Sequence, residues 1–183
     1  MITLTTDHRY IDESGREYPG VTTVIRDAGL MGYIPNDDWY SERGTAVHLA
    51  TALYDRNDLD ESTVDPQIVG YLNAWKLYRR DLMPAVATEY IEVLLHNSVS
   101  GYCGTMDRYA LDIKTGVKCA WHVIQAAAYW QAIGRTRPLS WQSVYLREDG
   151  RYTVETYDPV SLTRAFNTFN HALPIYNWKK ENL

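Results

Sequence analysis

The sequence predicts an α/β fold in which a mixed central β-sheet is flanked by α-helices. Helical periodicity dominates the first part of the chain, and three strand-like segments rich in branched and aromatic residues follow Pro84. A helix, two more strands and a last helix complete the order, which is typical of a sheet covered by helices. Because 183 residues suit one hydrophobic core, residues 1–183 are expected to form a single domain.

The N-terminal part is expected to contain a hairpin followed by helices. In residues 8–20, HRYIDESGREYPG, the turn residues ESG separate two short strand-like segments. Residues 21–30 predict a short helix that ends at Gly29. Residues 37–56 also have a helical pattern, in which Gly44 predicts a break between two pieces.

A strong helix signal lies in residues 64–82, where apolar residues recur at helical spacing. Asp65 is expected to cap this helix, with Pro66 in its first turn, where a helix tolerates proline. Asp158 and Pro159 open the last helix in the same way.

The second half of the chain is expected to alternate between strands and helices. Residues 85–97, 101–110 and 111–116 are predicted to be consecutive strands. Residues 120–134 return to a helical pattern that ends at Gly134. The segments WQSVYLRE and RYTVETYD then flank an Asp-Gly pair, which is a strong signal for a hairpin.

The composition argues against several classes of protein. No apolar stretch is long enough to span a bilayer, and no signal-peptide pattern follows Met1, so a cytoplasmic location without a membrane partner is expected. Cys103 and Cys119 fit a reducing compartment and fall short of the four thiolates of an iron–sulfur cluster. The net charge of −5 argues against a passive nucleic-acid coat, yet it allows an enzyme that reaches phosphate through bound cations.

Three residues near the middle of the chain carry the clearest chemical signal. Asp112 and Lys114 are two apart on a predicted strand and so point to the same face, while Asp107 ends the preceding strand. Two adjacent carboxylates repel each other unless a cation lies between them, and Mg²⁺ binds through one or two carboxylates. The alternative is an ordinary ion pair at a strand edge, to which Asp107 is unrelated.

Residues on the predicted helices and on an earlier strand add to this signal. His48 lies on a helix face among small residues, where an imidazole can ligate a metal or can simply be hydrogen-bonded in a packed interior. Gln125 and Tyr129 are one helical turn apart on one face. Glu89 is expected to place a further carboxylate on the strand before Asp107, with Glu92 as its competitor.

The order RGTAVH, GTMD, LDIKTG and QAAAYW resembles the PD-(D/E)XK nuclease superfamily, and within it the RecB-type and phage-exonuclease branch. The resemblance extends from about His8 to the last helix and implies a restriction-endonuclease-like core. By this resemblance Asp107 and Asp112 are metal ligands, together with the carbonyl oxygen of Ile113. His48 is a further ligand, and Lys114 is the catalytic lysine.

The resemblance also implies the roles of the neighbouring residues and the cofactor. Glu89 matches a carboxylate that precedes the Gly-x-x-Asp strand and is counted among the catalytic residues. Gln125 and Tyr129 support the site or contact DNA. One or two Mg²⁺ or Mn²⁺ ions are the expected cofactors.

The implied function is a metal-dependent deoxyribonuclease that hydrolyses phosphodiester bonds, as an exonuclease on linear DNA ends. The resemblance also suggests phage-type recombination or repair in the cytoplasm of a bacterial host, with a single-strand annealing protein as partner and a ring-like homo-oligomer. Three alternatives remain open from sequence: an endonuclease or nickase on the same scaffold, a catalytically silent DNA-binding or recombination-partner module, and an unrelated soluble binding protein.

One departure from the family concerns the four residues RYAL, which alone separate the two predicted aspartate ligands. Relatives have a longer hairpin at this point, and RYAL lacks the residue types that tight turns favour. The sequence therefore predicts either an unusually tight hairpin or the loss of a turn that relatives have, and a real shortening is expected to displace Asp107 and reduce activity. Arg43, one turn before His48, and Arg108, next to Asp107, are candidate contacts for DNA phosphates.

Overall fold

The computed structural model describes residues 1–32, 38–83, 87–134 and 138–183 and confirms an α/β architecture. The helices are α1 (Val21–Asp27), α2 (Asp38–Asp55), α3 (Val69–Leu82), α4 (His122–Ala132) and α5 (Pro159–Asn182). The strands are β1 (Ile2–Leu4), β2 (Tyr10–Asp12), β3 (Glu17–Tyr18), β4 (Val93–Asn97), β5 (Tyr102–Met106), β6 (Leu111–Lys114), β7 (Trp141–Leu146) and β8 (Tyr152–Tyr157). Within the described ranges no helix combines the length and apolar character that crossing a membrane requires.

The described strands form three small sheets where one central sheet was predicted. β1, β2 and β3 form an antiparallel sheet, β4 and β5 form a hairpin, and β6, β7 and β8 form a mixed sheet in which β6 and β7 are parallel. A single bridge, Arg108 with Leu111, joins the end of the second sheet to the start of the third. The chain turns too tightly at this point for a longer ladder to form.

Most of the turns and helix ends that short sequence patterns predict are present in the structure. The N-terminal hairpin is present, and α1 ends before Gly29, which adopts a φ of 80°. The residue Gly134 follows α4 with a φ of 76°, and the Asp-Gly turn joins β7 to β8. Asp158 caps α5 by accepting a hydrogen bond from the amide of Ser161 at 2.7 Å.

Two predictions about helices are wrong. The helix α2 continues through Gly44, because tertiary packing outweighs the modest helix penalty of glycine; a Cβ at residue 44 would lie 3.8 Å from Thr115 Oγ1. The helix α3 begins only at Val69, with Ile68 rather than Asp65 in the capping position. Asp65 instead accepts a hydrogen bond from the amide of Gln67 in a separate turn.

The predicted strands before and after residue 100 are shorter than expected. Thr88–Tyr90 form a 3₁₀ turn, so β4 starts at Val93, and β5 ends at Met106 rather than continuing to Ala110. Residues 84–86, part of which were predicted to start a strand, lie outside the described residues, as does residue 37.

Two hydrophobic clusters hold these elements together. The first is built around α4 and α5, whose buried residues, such as Ala127 and Phe169, cover the β4–β5 hairpin and its buried Tyr102. The second lies between α2, α3 and the mixed sheet and includes Trp75 and Ile113. The strand β6 and the end of β5 therefore lie between a layer of helices on each side, and their polar residues meet at this junction.

Candidate metal centre

The four-residue connection after Asp107 is a tight turn that keeps this residue beside β6. The amide of Leu111 donates to the carbonyl oxygen of Arg108 at 3.1 Å, and Ala110 has a φ of 62°, in the left-handed region. The Asp107 carboxylate accepts a hydrogen bond from the amide of Ile113 at 2.6 Å. The tight hairpin is thus present, and it holds the Asp107 carboxylate against the backbone of β6.

Three side chains from three separate segments form the candidate metal centre, which we define as His48, Glu92 and Asp107. One ligand atom of each residue lies within 4.8 Å of the others. His48 Nδ1 is 3.2 Å from Asp107 Oδ1, and the amide of Glu92 donates to the carbonyl oxygen of Asp107 at 3.0 Å. The set combines two carboxylates with an imidazole, which suits Mn²⁺ and, through its oxygens, Mg²⁺.

Lys114 lies next to this centre and is held by several groups. It forms an ion pair with Asp112, and its Nζ donates to Gln125 Oε1 at 2.7 Å. Gln125 Nε2 in turn donates to Tyr129 OH at 3.0 Å. The sequence prediction that these two α4 residues support the site is consistent with this chain of contacts. Tyr129 packs so closely on Gly104 that a Cβ there would lie 2.3 Å from its ring.

The charges of His48 and Asp107 shift each other's pKa values. Burial alone would lower the pKa of His48, but the negative charge of Asp107 and its hydrogen bond raise it to about 9. For Asp107, burial opposes ionisation, and the charge of His48 together with hydrogen bonds from His48 and Ile113 lowers the pKa to about 2. These two residues therefore form an ion pair in the protein without a metal.

The other two carboxylates are less well compensated. Burial and the negative charge of Asp107 raise the pKa of Glu92 to about 7, against the opposing charges of His48 and Arg108. Burial raises the pKa of Asp112 to about 6, where Lys114 opposes the rise and Asp107 adds to it. The centre thus holds more carboxylate than its own cations neutralise.

The prediction that Glu89 lies on a strand is wrong. It lies in the exposed 3₁₀ turn Thr88–Tyr90, and its competitor Glu92 supplies the carboxylate of the centre. Glu92 takes a φ of 56° just before β4 begins, and this turn directs the chain toward Asp107. The alternation of residues along a strand could not identify Glu92, because the segment that contains it is not a strand.

The structure contradicts the prediction that Arg108 contacts DNA phosphate. Its side chain is 0% exposed, and its Nε donates to Asp55 Oδ2 at 2.7 Å. Its guanidinium also lies 5.3 Å from the ring centroid of Trp75. Arg108 is thus a buried residue, and its Nη1 lies 3.4 Å from Glu92 Oε1 of the candidate metal centre.

Arg43 is partly accessible but is engaged by the protein. Its Nη2 donates to the carbonyl oxygen of Thr115 at 3.1 Å, and its guanidinium lies 5.0 Å from the ring centroid of Tyr40 and 5.1 Å from that of Tyr71. A direct phosphate contact of Arg43 stays a prediction, as does the carbonyl oxygen of Ile113 as a metal ligand.

The sequence interpretation missed Trp121 as a neighbour of Lys114. The Lys114 ammonium lies 5.4 Å from the centroid of the Trp121 ring, which packs edge-on against His122 at 4.2 Å. Trp121 is four residues before Gln125, so the same helical spacing that links Gln125 to Tyr129 could have found it. Burial and the charge of Lys114 lower the pKa of His122 to about 3, which keeps this imidazole neutral.

Comparisons with known proteins do not assign a family. No protein-family model matches the chain, and no curated protein matches it. The functional conclusion therefore depends on the geometry of the site and on the resemblance of its motifs.

Proposed function

We propose that this chain is a Mg²⁺- or Mn²⁺-dependent deoxyribonuclease of the PD-(D/E)XK type that hydrolyses phosphodiester bonds at the ends of linear DNA. The observation that carries the proposal is the convergence of His48, Glu92 and Asp107 next to the Asp112–Lys114 pair. These residues come from α2, from the turn before β4 and from the segment that joins β5 to β6, and they bring ligands and a lysine to one point.

The donor set fits a divalent ion. Carboxylate oxygens are the preferred ligands of Mg²⁺ and Mn²⁺, and one imidazole is compatible with Mn²⁺. His48, Glu92 and Asp107 would hold the ion, with Asp112 beside them. A bound ion would lower the pKa of a water and stabilise negative charge on a phosphoryl oxygen.

Lys114 would orient the attacking water or neutralise charge that develops on the phosphoryl oxygens. Its ammonium is 13% exposed at the side chain and is fixed by Asp112 and Gln125, so its position is set before substrate arrives. A fixed charge costs little reorganisation in the transition state, which is where its contribution is expected.

The chain order around the centre supports a restriction-endonuclease-like core. The hairpin β4–β5 leads into β6, and α4 connects β6 to the parallel strand β7. The acid-x-Lys strand thus lies between a hairpin and a helix that contributes Gln125. The phage-type recombination role, the annealing-protein partner and the ring-like oligomer follow from the resemblance and are part of the same proposal.

The test is cleavage of linear and of covalently closed circular duplex DNA with Mg²⁺ or Mn²⁺, with EDTA and the Lys114→Ala variant as controls. We expect metal-dependent loss of linear DNA that the variant does not produce. Cutting of the circle would assign an endonuclease or nickase instead. Binding of DNA without cleavage of either form, under all metal conditions, would overturn the enzymatic proposal in favour of a silent DNA-binding module.

A further inference from the structure

Arg108 connects the buried carboxylate of Asp55 to the candidate metal centre. Its Nε donates to Asp55 Oδ2 at 2.7 Å, and its Nη1 lies 3.4 Å from Glu92 Oε1. Nη1 also donates to the carbonyl oxygen of Asp107 at 2.5 Å. One planar guanidinium therefore contacts Asp55 on one side and two of the three residues of the metal centre on the other.

The guanidinium of Arg108 is held in place by its surroundings. The side chain is 0% exposed, and the guanidinium lies 5.3 Å from the ring centroid of Trp75. Asp55 is fixed in turn by hydrogen bonds from Arg79 at 2.6 Å and from the indole of Trp75 at 3.2 Å. Because a guanidinium presents its donors in a rigid fork, fixing one edge also fixes the direction of Nη1. Nη1 is thus a donor at a set position next to Glu92.

The contact with Arg108 restricts the side chain of Glu92. This side chain is 32% exposed, and its backbone has a φ of 56° at the turn before β4. Among the described residues, Arg108 is the one that forms an ion pair with the Glu92 carboxylate. A glutamate side chain has several rotatable bonds, so without this contact the carboxylate can take several positions. Arg108 therefore limits where a candidate metal ligand lies.

The way in which Arg108 contacts Asp55 argues against a role limited to compensating that charge. A guanidinium and a carboxylate pair most strongly through two parallel hydrogen bonds. Here Asp55 receives Nε, while Nη2, the second donor on the same edge, is buried with no hydrogen-bond partner in the part of the chain that the structure describes. The guanidinium thus leaves one donor unused near Asp55, while its Nη1 contacts Asp107 and Glu92.

We propose that Arg108 is a positioning residue that holds one oxygen of Glu92, so that the other oxygen is presented to the metal ion. This inference rests on the proposed nuclease function and adds to it a residue that does not touch the ion. Glu92 would then bind the ion through a single oxygen, which suits the octahedral coordination of Mg²⁺ and Mn²⁺. Mutation of residues that orient a metal ligand in this way typically changes the metal affinity about 10- to 100-fold.

The test is a double-mutant cycle on the affinity for Mn²⁺, measured by calorimetric titration of the wild type, Arg108→Lys, Glu92→Gln and the double variant. Lysine keeps the charge but lacks the fork that reaches Asp55 and Glu92 together. We expect Arg108→Lys to weaken Mn²⁺ binding at least about tenfold when the Glu92 carboxylate is present. When residue 92 is glutamine, the same change should weaken binding less than about twofold.

Arg79→Lys is the matched control for an effect on the fold. Arg79 donates to Asp55 Oδ1 at 2.6 Å, as Arg108 does to Oδ2, so both variants disturb the same buried carboxylate. Arg79→Lys should lower the thermal midpoint and leave the Mn²⁺ affinity within about twofold of the wild type. An equal loss of affinity in Arg79→Lys and Arg108→Lys would assign Arg108 a purely structural role and overturn the inference.

Unchanged Mn²⁺ affinity in Arg108→Lys, or the same loss with and without the Glu92 carboxylate, would also overturn it. If Arg108→Lys does not fold, a crystal structure of the wild type with Mn²⁺ provides the test. Arg108 should then donate to one Glu92 oxygen while the other oxygen binds the ion, and a Glu92 side chain that has turned away from Arg108 would contradict the inference.

DNA cleavage assays separate this inference from the proposed function. Mn²⁺ binding that shows the coupling between Arg108 and Glu92, without cleavage of DNA, would overturn the nuclease function alone. Cleavage of DNA without this coupling would overturn the positioning role alone. A wild-type chain that binds no Mn²⁺ would overturn the positioning role as well, because Glu92 would then hold no ion.

Discussion

The adjacent residues Asp107 and Arg108 belong to two buried charged centres that differ in how fully their charges are compensated. Arg108 donates to Asp55, whose side chain is 0% exposed and accepts hydrogen bonds from Arg108 at 2.7 Å, Arg79 at 2.6 Å and Trp75 at 3.2 Å. The other end of its guanidinium, Nη1, lies 3.4 Å from Glu92 Oε1. Asp107 belongs to the candidate metal centre, where carboxylates outnumber cations. We call the first group, Asp55, Trp75, Arg79 and Arg108, the Asp55 centre.

The two centres differ in how the protein compensates buried charge. In the Asp55 centre, one carboxylate receives donors from three side chains, so the protein itself supplies the compensation that burial demands. In the candidate metal centre, burial and Asp107 raise the pKa of Glu92, and they raise that of Asp112 beside the centre. Carboxylates that the fold compensates only in part are suited to a cation from solution.

The largest effect is expected from Asp112→Asn. This change removes the carboxylate beside the candidate metal centre and leaves Lys114 without its ion-pair partner, so DNA cleavage should fall at least about 10⁴-fold, or ~5.5 kcal/mol in the barrier. The thermal midpoint should stay close to that of the wild type, because the neutral amide ends the repulsion with Asp107. A nuclease assay beside thermal unfolding checks both, with the exposed Glu42→Gln as control. Retained cleavage would show that Asp112 is no ligand.

Asp55→Asn is expected to lower the stability of the protein, in contrast to Asp112→Asn, which is expected to lower DNA cleavage. The Asp55→Asn change leaves Arg108 with only Glu92 Oε1, at 3.4 Å, as a charged partner among the described residues, and removing one partner of a buried ion pair costs roughly 3–5 kcal/mol of unfolding free energy. Urea unfolding measures this loss, and Asp58→Asn on the nearby exposed surface should change the value by less than about 0.5 kcal/mol. If the unfolding free energy of Asp55→Asn changes as little as that of the control, the distinction between the two centres is wrong.

The affinity for Mn²⁺ should rise with pH. His48 has a pKa of about 9 without metal and must lose its proton to become a ligand, so affinity should increase about tenfold per pH unit between pH 6 and 8. The Glu92 carboxyl, with a pKa of about 7, adds to this rise below pH 7 because its protonated form is a poor ligand. Calorimetric titration across this range, repeated with His48→Asn, is the measurement. Affinity that is flat or falls with pH would exclude His48 as a ligand.

The smallest effect is expected for the pair Glu92→Gln and Glu89→Gln. Loss of the Glu92 carboxylate should weaken Mn²⁺ binding about 10- to 100-fold, whereas the exposed Glu89 should have no measurable influence. Equal affinities in the two variants would mean that Glu92 does not belong to the metal centre, and a loss confined to Glu89→Gln would restore the assignment made from sequence.

The sequence by itself determined the elements that short-range chemistry specifies. Asp-Gly fixes the β7–β8 turn, Asp158 caps α5, and the alternation Asp112-Ile113-Lys114 places an acid and a lysine on one face of β6. Each of these features depends on residues that are neighbours along the chain, so the pattern of residue types was sufficient to predict them.

Only the tertiary structure decided which charged residues meet. The turn at Glu92 brings this carboxylate to Asp107 in place of Glu89, and the tight turn after Asp107 directs Arg108 inward to Asp55. Gly44 stays helical because distant segments pack around it. Pairing between residues far apart in sequence depends on backbone direction and packing, and one-dimensional spacing does not encode either of them.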